Sequence, residues 1–560
     1  MKRRSNRILV SLALFVAAGF MQSRAETLMT RHVRTVTING QAKVLGHLPS
    51  ATIMQLNVVL PVRDQAGLDD FLVEVRNPYS SDYKHFLTPA EFTERFGPSK
   101  EDYGAVLNYV QDRGLTVVGG SRDAMDVQIK GPVSAIESAF HVSMLTYQHP
   151  TENRVFYAPD REPTVDLPFQ LWHISGLDNF SIPHPQYVKK SDYARANGLD
   201  PNKIGHATTG SGPSASFLGS DMRAAYYGGS ALTGSGQNLG LFEYLGTDLA
   251  DLTTYYKNVK QTNSVPITLL STDGTSTSCV DSRSGGRCDD TEQTLDMTQA
   301  LGMAPGLASL VMYVGSTDTA IIGSMTTHSP LPTTIGCSWG WTPADPSTLD
   351  PYFQKMAAQG QNFFAASGDS STWSKRNEAW PADDANVVSV GGTDLTTASA
   401  GGPWKSETAW VDSGGGISPD SIKIPAWQQL AGVINSSNKG STTLRNGPDV
   451  SANANFTFYV CADQTTCTAN EYGGTSFAAP MWAGYIALVN QQLAADGYST
   501  IGFIDPYLYS FGVSSSYGTD FHDITSGKSG SYSAVTGYDL VTGWGSPNGQ
   551  GLINALVGEK

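Results

Sequence analysis

The chain has 560 residues, with 51 acidic against 36 basic side chains, 40% hydrophobic residues, only 16% charged ones and 58 glycines. That length exceeds one ordinary domain, and the hydrophobic fraction excludes a chain disordered throughout. The charge is unevenly placed: residues 1–215 hold 22 Lys and Arg against 21 Asp and Glu, and residues 216–560 hold 14 against 30. The net charge of −15 therefore lies in the C-terminal part, which would repel nucleic-acid phosphates.

Residues 1–25 read as a signal peptide. Lys2, Arg3, Arg4 and Arg7 form a basic start, Ile8 to Phe20 is an apolar run, and Ser23-Arg24-Ala25 is a small-x-small cleavage site. The apolar run is too short for a stable transmembrane helix, and no later stretch approaches 18 apolar residues. The expected product is secreted, extracellular or periplasmic, and has no membrane partner. In an oxidising compartment Cys279 with Cys288 and Cys461 with Cys467 suit two local disulfides, leaving Cys337 unpaired.

Residues 26–182 alternate strand-like runs with amphipathic helices. Leu56 to Val62, Leu115 to Val118 and Met125 to Ile129 read as strands, and Gly67 to Arg76, Pro89 to Phe96, Lys100 to Arg113 and Pro132 to Phe140 as helices. This pattern suits a ferredoxin-like α+β domain. Residues 183–215 change character: Pro183, Pro185, Pro201 and Pro213 lie among Lys, Asn, Ser and Gly. They read as an exposed, cleavable linker, mobile over Thr208 to Ser214. In residues 216–560 near-continuous apolar strands (Asn238 to Tyr244, Ser309 to Tyr313, Thr334 to Trp339, Asn362 to Ala366) alternate with helices, which predicts a buried parallel sheet in a doubly wound α/β domain.

Four local patterns in that domain could carry chemistry. Gly473-Gly474-Thr475-Ser476 leads into the apolar helical run Met481 to Asn490, placing a serine at a loop-to-helix junction where backbone N–H groups face developing negative charge. A nucleophilic serine needs a base, yet the domain holds only His328 and His522, neither in a His-Gly-Thr context. Glu292 and Asp296 are four apart on a helix, so their carboxyls share a face, and like charge there favours retention of a proton above the ordinary carboxyl range. Such a pair can accept a serine proton in acid; a solvated acidic helix face is the competing reading. Asp369 follows a strand end in Ser367-Gly368-Asp369, where a protonated carboxyl could donate to an oxyanion or a plain aspartate could cap a turn. Asp523 and Asp539 bracket a Gly/Ser-rich loop whose carboxylates and carbonyls offer hard oxygen ligands for calcium, or Asx-turns without metal.

Together these motifs resemble the sedolisin, or serine-carboxyl peptidase, family. Asn77-Pro78-Tyr79 through His85-Phe86-Leu87-Thr88-Pro89 is similar to the signature of its activation prodomain. Glu292-x-x-x-Asp296, Ser367-Gly368-Asp369 and Gly474-Thr475-Ser476-x-x-x-Pro480 match its catalytic motifs in order. The resemblance implies a subtilisin-like doubly wound parallel-sheet domain at 216–560 after a prodomain at 26–182. It implies an acid-acting endopeptidase with Ser476 as nucleophile, Glu292 as base and then acid, Asp296 orienting Glu292, and Asp369 as oxyanion donor. Glu243 and Trp339 match positions that extend the carboxyl network in kumamolisin-like members. One structural calcium ion is implied, held by the Asp523 and Asp539 side chains and the Ile524, Val535 and Gly537 carbonyls; Val535 stands where members often carry Gly.

The expected partners are protein or peptide substrates and the chain's own prodomain as an intramolecular inhibitor, the protein acting as a monomer. A nearly neutral prodomain can dock on the acidic domain near neutral pH and be released as carboxylates protonate, with cleavage in the linker freeing the mature enzyme. The alternative is a catalytically inactive secreted homologue acting as a binding protein; a histidine-dependent protease and a non-catalytic adhesin are weaker rivals.

Overall fold

The computed structural model describes residues 26–204, 208–279, 289–342, 346–377, 380–464 and 466–559. The signal-peptide expectation and Cys288 lie outside the described residues.

The N-terminal domain builds a four-stranded antiparallel sheet from β1 (Ile53–Val59), β2 (Thr116–Gly119), β3 (Asp126–Pro132) and β4 (His173–Ser175), in the order β2-β3-β1-β4. That order and the intervening helices α1 (Gln65–Glu74), α2 (Pro89–Arg95), α3 (Lys100–Asp112) and α4 (Val133–Phe140) are ferredoxin-like. Helix α2 starts on a capping box, the Thr88 hydroxyl accepting from Glu91 N–H while Glu91 returns to the Thr88 N–H, with Pro89 at the first helical position.

The C-terminal domain centres on an eight-stranded sheet. Its strands are β7 (Asn238–Glu243), β8 (Ile267–Ser271), β9 (Ser309–Val314), β10 (Thr334–Cys337), β12 (Asn362–Ala366), β13 (Val388–Thr397), β14 (Trp404–Ala409) and β15 (Val450–Asn453). The order is β8-β9-β7-β10-β12-β13-β14 with β15 also on β13, and every pairing is parallel except β13 with β14. The central strands are buried on both faces, as in β7, where Leu239, Leu241 and Phe242 are inaccessible, which is why they read as apolar runs without alternation, while β8 and β14 at the two edges are partly exposed. Two helices cross the middle of this domain, α6 (Thr291–Met303) and α8 (Thr475–Ala495), both buried nearly all round.

The two domains share one core: Phe71, Phe92 and Phe96 of α1, α2 and the turn after α2 belong to the same apolar cluster as Tyr352, Phe353 and Met356 of α7 (Asp350–Ala358). Asn57 donates to the Thr319 hydroxyl at 3.0 Å, Gln128 to the Thr272 carbonyl at 2.9 Å, and Leu87 N–H to the Ala358 carbonyl at 2.9 Å. Lys355 is wholly buried in this seam, bonded to the Asp123 carbonyl, and desolvation pushes its amine down to about 7.

The linker is where the structure departs most from the expectation of an exposed, mobile segment. Its β5 (His184–Pro185) pairs antiparallel with β11 (Trp339–Gly340), and its β6 (Val188–Lys189) pairs antiparallel with β16 (Tyr472–Gly473). Helix α5 (Lys190–Asn197) follows. Further on, Thr209 bonds Thr397 hydroxyl to hydroxyl at 2.6 Å, and the Ser211 N–H and hydroxyl donate to Asp221 at 2.9 and 2.7 Å. The stretches at 184–190 and 209–211 are thus held by backbone and hydroxyl bonds to the body they cross, while residues 195–203 stay exposed as expected.

Candidate active site

Ligand sites in open parallel sheets lie beyond the C-terminal strand ends. Here Glu243 ends β7, Ser338 and Trp339 follow β10, and Asp369 follows β12. Helices α6 and α8 bring their first turns to the same place. Gly474, at φ +140°, turns the chain into α8, and a Cβ there would sit 2.4 Å from the Gln186 carbonyl oxygen and 2.5 Å from Asp369 Oδ2. Glycine is required both for the backbone angle and for that close approach.

Ser476, in the first turn of α8, donates from Oγ to Glu292 Oε2 at 3.0 Å. Glu292, in the first turn of α6, continues into a chain of carboxyls: Asp296 is hydrogen-bonded to both Glu292 and Glu243. The far end is held by Trp339 Nε1 and Gln293 Nε2, each donating to Glu243 Oε2 at 3.0 Å. Glu243, Glu292, Gln293, Asp296 and Ser476 are all at most 2% exposed. The competing reading of Glu292 and Asp296 as a solvated face is therefore corrected: α6 is buried on every side.

The electrostatics follow from that burial. Glu292 is raised well above the ordinary carboxyl range, first by desolvation and then by the neighbouring charges of Asp296 and Glu243. Asp296 is pushed up to about 8 by desolvation, against the hydrogen bonds from Ser338, Glu292 and Glu243. Glu243 is likewise raised well above its usual range by burial, then by Asp296. The sequence expectation invoked like charge alone; desolvation is the larger cause. Glu292 Oε1, Asp296 Oδ2 and Glu243 Oε1 are buried with no donor to any of them among the described residues, which neighbouring carboxyl oxygens tolerate only if they share protons.

Asp369 Oδ1 accepts from Thr475 N–H at 2.8 Å and the Thr475 hydroxyl at 2.9 Å, and so faces the start of α8 beside Ser476. The two histidines of the domain are elsewhere. His328 bonds the Tyr313 hydroxyl at 2.9 Å, and His522 stacks on Trp404 with ring centres 3.9 Å apart, burial lowering it to about 4.

Sequence reasoning missed Ser338, whose hydroxyl lies 2.7 Å from Asp296 Oδ1 and 3.2 Å from the Ser476 carbonyl. Pro480 was the available signal: it has no N–H for the Ser476 carbonyl one turn earlier, so another donor must serve it. Gln293 was also missed, although it adjoins Glu292.

Asp523 and Asp539 both reach the loop at 535–537. Asp523 accepts from Gly537 N–H at 3.2 Å and lies 3.0 Å from the Tyr517 hydroxyl. Asp539 accepts from Val535 N–H at 3.0 Å and from Val541 and Thr542 N–H at 2.9 and 2.8 Å. Burial raises both carboxyls, Asp539 to about 7. Two half-buried to buried carboxylates converging on one loop, with a buried Ile524 beside them, are a hard-oxygen donor set with excess negative charge, and they fit a calcium ion. The Cys461–Cys467 disulfide closes the β-hairpin that precedes Ser476, and Cys337 is free and buried.

A serine at a helix start beyond the edge of a doubly wound parallel sheet, behind an α+β domain, defines a serine peptidase of the subtilase class made with an activation domain. Residues 40–180 match the pro-kumamolisin activation domain and residues 292–500 the subtilase family. Kumamolisin from Bacillus sp. (strain MN-32) is 28% identical over 90% of this chain and 92% of its own. Xanthomonalisin from Xanthomonas sp. (strain T-22) is 27% identical over 92% and 68%, and sedolisin from Pseudomonas sp. (strain 101) 27% identical over 90% and 87%. The chain belongs to the sedolisin family of serine peptidases, with an activation prodomain ahead of the peptidase domain.

Proposed function

We propose that the protein is an acid-acting serine-carboxyl endopeptidase, secreted as a proenzyme and activated by its own cleavage. The observation that carries this reading is the 3.0 Å bond from Ser476 Oγ to Glu292, inside a buried carboxyl chain from which both histidines of the domain are remote. Ser476 Oγ attacks the scissile carbonyl and Glu292 takes its proton, later giving it to the leaving amine. Asp296 and Glu243 hold shared protons behind Glu292, so the proton removed from Ser476 enters a network rather than one isolated buried group. Ser338 supports this state: its single hydroxyl hydrogen can serve the Ser476 carbonyl if Asp296, protonated, donates to Ser338 Oγ in turn. The oxyanion is received by the Ser476 N–H and by Asp369, which donates only as the acid. That requirement ties activity to low pH.

Endopeptidase action is supported by the linker, which passes through the site with chain continuing on both sides. The docked prodomain segment would inhibit by occupying that cleft. Calcium, when bound by Asp523, Asp539 and the carbonyls of Ile524, Val535 and Gly537, supplies charge compensation that holds the loop; a chelator should lower the melting temperature of the mature enzyme, and no change would remove calcium from the account.

Incubation of the purified proprotein with calcium between pH 3 and 7, beside Ser476→Ala, tests the reading. Expected are self-shortening and hydrolysis of denatured protein confined to acid and absent from the variant. A profile peaking above pH 7 would demand another base, and inactivity at every pH would leave the inactive-homologue alternative.

A further inference from the structure

Between β5 and β6 the linker is pinned from both sides, and the two residues that join the ladders are Gln186 and Tyr187. On the N-terminal side His184 lies opposite Gly340 and Pro185 opposite Trp339, and Gln186 N–H donates to the Ser338 carbonyl at 2.8 Å. On the C-terminal side Val188 lies opposite Gly473 and Lys189 opposite Tyr472, and Lys190 N–H donates to the Glu471 carbonyl at 2.7 Å. The Gln186 carbonyl oxygen accepts from the Ser476 N–H at 2.9 Å and shares the pocket over Gly474 with Asp369 Oδ2. The group polarised by the nucleophile's own N–H, beside the oxyanion acid, is thus one particular carbonyl of this chain. Gln186 is only 4% exposed, so a second enzyme molecule has no access to it while the segment stays docked.

The residue after that carbonyl sits in a recess. The Tyr187 hydroxyl donates to Asp289 Oδ2 at 3.0 Å, and its ring meets Tyr472 edge to face with centroids 5.8 Å apart. A cavity of about 420 Å³ opens beside Tyr187, walled on one side by the linker itself and on the other by Asp289, Asp463 and Tyr472. Asp289 also accepts from Thr291 N–H at 3.0 Å, so it is held in place by the start of α6.

We infer that Gln186–Tyr187 is the first bond the enzyme cuts in itself, within one molecule, and that the Asp289–Tyr472 recess then selects a hydroxyl-bearing aromatic after the cut in other substrates. The inference rests on Ser476 and Glu292 acting as proposed above. Ser476 Oγ bonds to the Gln186 carbonyl carbon as its proton passes to Glu292. The Gln186–Tyr187 C–N bond then breaks, with that proton delivered to the Tyr187 nitrogen. Water hydrolyses the Gln186 ester, freeing a carboxyl at Gln186 and regenerating Ser476; the new N-terminus is Tyr187.

The test is a time course of the calcium-bearing proprotein shifted to acid over a hundredfold range of concentration, read by mass and N-terminal sequencing. Expected is Tyr187 as the first new N-terminus, at a rate independent of concentration. The activated enzyme is then given peptides differing only in the residue after the cut. A Tyr peptide should exceed a Phe peptide in kcat/KM by about threefold to tenfold, the worth of one hydrogen bond, and Asp289→Ala should bring that ratio to about one. Because the ratio is taken within one enzyme, general damage by the substitution cancels. An earliest N-terminus elsewhere, or a rate that rises with concentration, overturns the self-cleavage assignment while the peptidase reading stands. An unchanged Tyr/Phe ratio in Asp289→Ala overturns the recess. A proprotein that cuts neither itself nor denatured protein overturns this inference and the reading beneath it together.

Discussion

Two buried acidic clusters in the peptidase domain use opposite means of surviving burial. Around Arg445 the charge is paired: Nη1 and Nη2 donate to Asp449 Oδ1 and Oδ2 at 2.9 and 2.6 Å, Tyr509 adds a third donor at 2.7 Å, and Asp505 lies 3.8 Å from the same guanidinium. Arg445, Asp449 and Asp505 are wholly inaccessible. The Glu243–Asp296–Glu292 chain has neutral donors instead, Trp339, Gln293, Ser338 and Ser476, and its excess charge is removed by retained protons. A cluster with a fixed cation can exchange a proton only at its surplus carboxyl, here Asp505, which burial and then Asp449 raise well above the usual range. One neutralised by protons can release and recapture them, which is the property a general base needs.

The largest expected effect separates the two on activity. Glu292→Gln keeps a group that can accept from Ser476 Oγ but cannot take its proton, and should lower kcat/KM by about 10³- to 10⁴-fold with the fold intact. The same substitution removes a buried carboxyl that must otherwise hold a proton, so stability at pH 7 should stay level or rise. Arg445→Met should do the reverse, leaving two buried aspartates without their cation at a cost of about 3 to 5 kcal/mol. Urea midpoints and kcat/KM on both variants check this; destabilisation by Glu292→Gln comparable to that by Arg445→Met would erase the distinction.

How far these features could be read from the chain depends on their range. The motifs proposed for catalysis were legible because each is local: a Gly-Thr-Ser turn, a Glu and Asp one helical turn apart, a Gly-Asp at a strand end. The strands Asn238–Glu243 and Asn362–Ala366 were legible as apolar runs, and β2-β3-β1-β4 as a ferredoxin-like alternation. Burial of α6 was not, because Thr, Gln, Glu and Asp at 291–299 read as a polar face, and what encloses them is distant packing against α8, β7, the helix Gly219–Tyr226 and the strand Tyr459–Ala462. The linker's docking was hidden for a similar reason. An extended stretch with Pro185 has no periodicity, and its partners at 338–340 and 472–473 lie more than 150 residues away. Glu243 and Trp339 came only from family resemblance, since a glutamate ending an apolar strand and a distant tryptophan carry no mutual signal.

A smaller effect concerns stability against pH. The Asp296 carboxyl is raised in the fold from 3.8 to about 8, so between those values the folded chain binds the proton that the unfolded chain has lost. Its contribution is fully present below about pH 4 and is lost as pH rises toward 8, at about 1.4 kcal/mol per unit for one such group. Asp296→Asn should therefore flatten the fall in stability from pH 4 to 8 in denaturant titrations of an inactivated Ser476→Ala background. A slope unchanged by the substitution would mean that Asp296 is ionised in the fold.

The smallest effect tests the far end of the carboxyl chain. Trp339→Phe keeps a ring against Tyr244 but removes one of the two donors to Glu243 Oε2. The bond from Trp339 favours the charged form of Glu243, so its loss raises Glu243 further and leaves it neutral. Charge on Glu243 pushes Glu292 upward, and the variant reduces whatever charge Glu243 shares in the network. Glu292 then ionises at lower pH, and the acid limb of kcat should move down by a fraction of a unit, with kcat reduced about fivefold or less by the looser network. Profiles of kcat against pH resolve this. Movement of the acid limb upward would mean that Glu243 must be ionised for Glu292 to act, which reverses the direction of proton sharing along the chain.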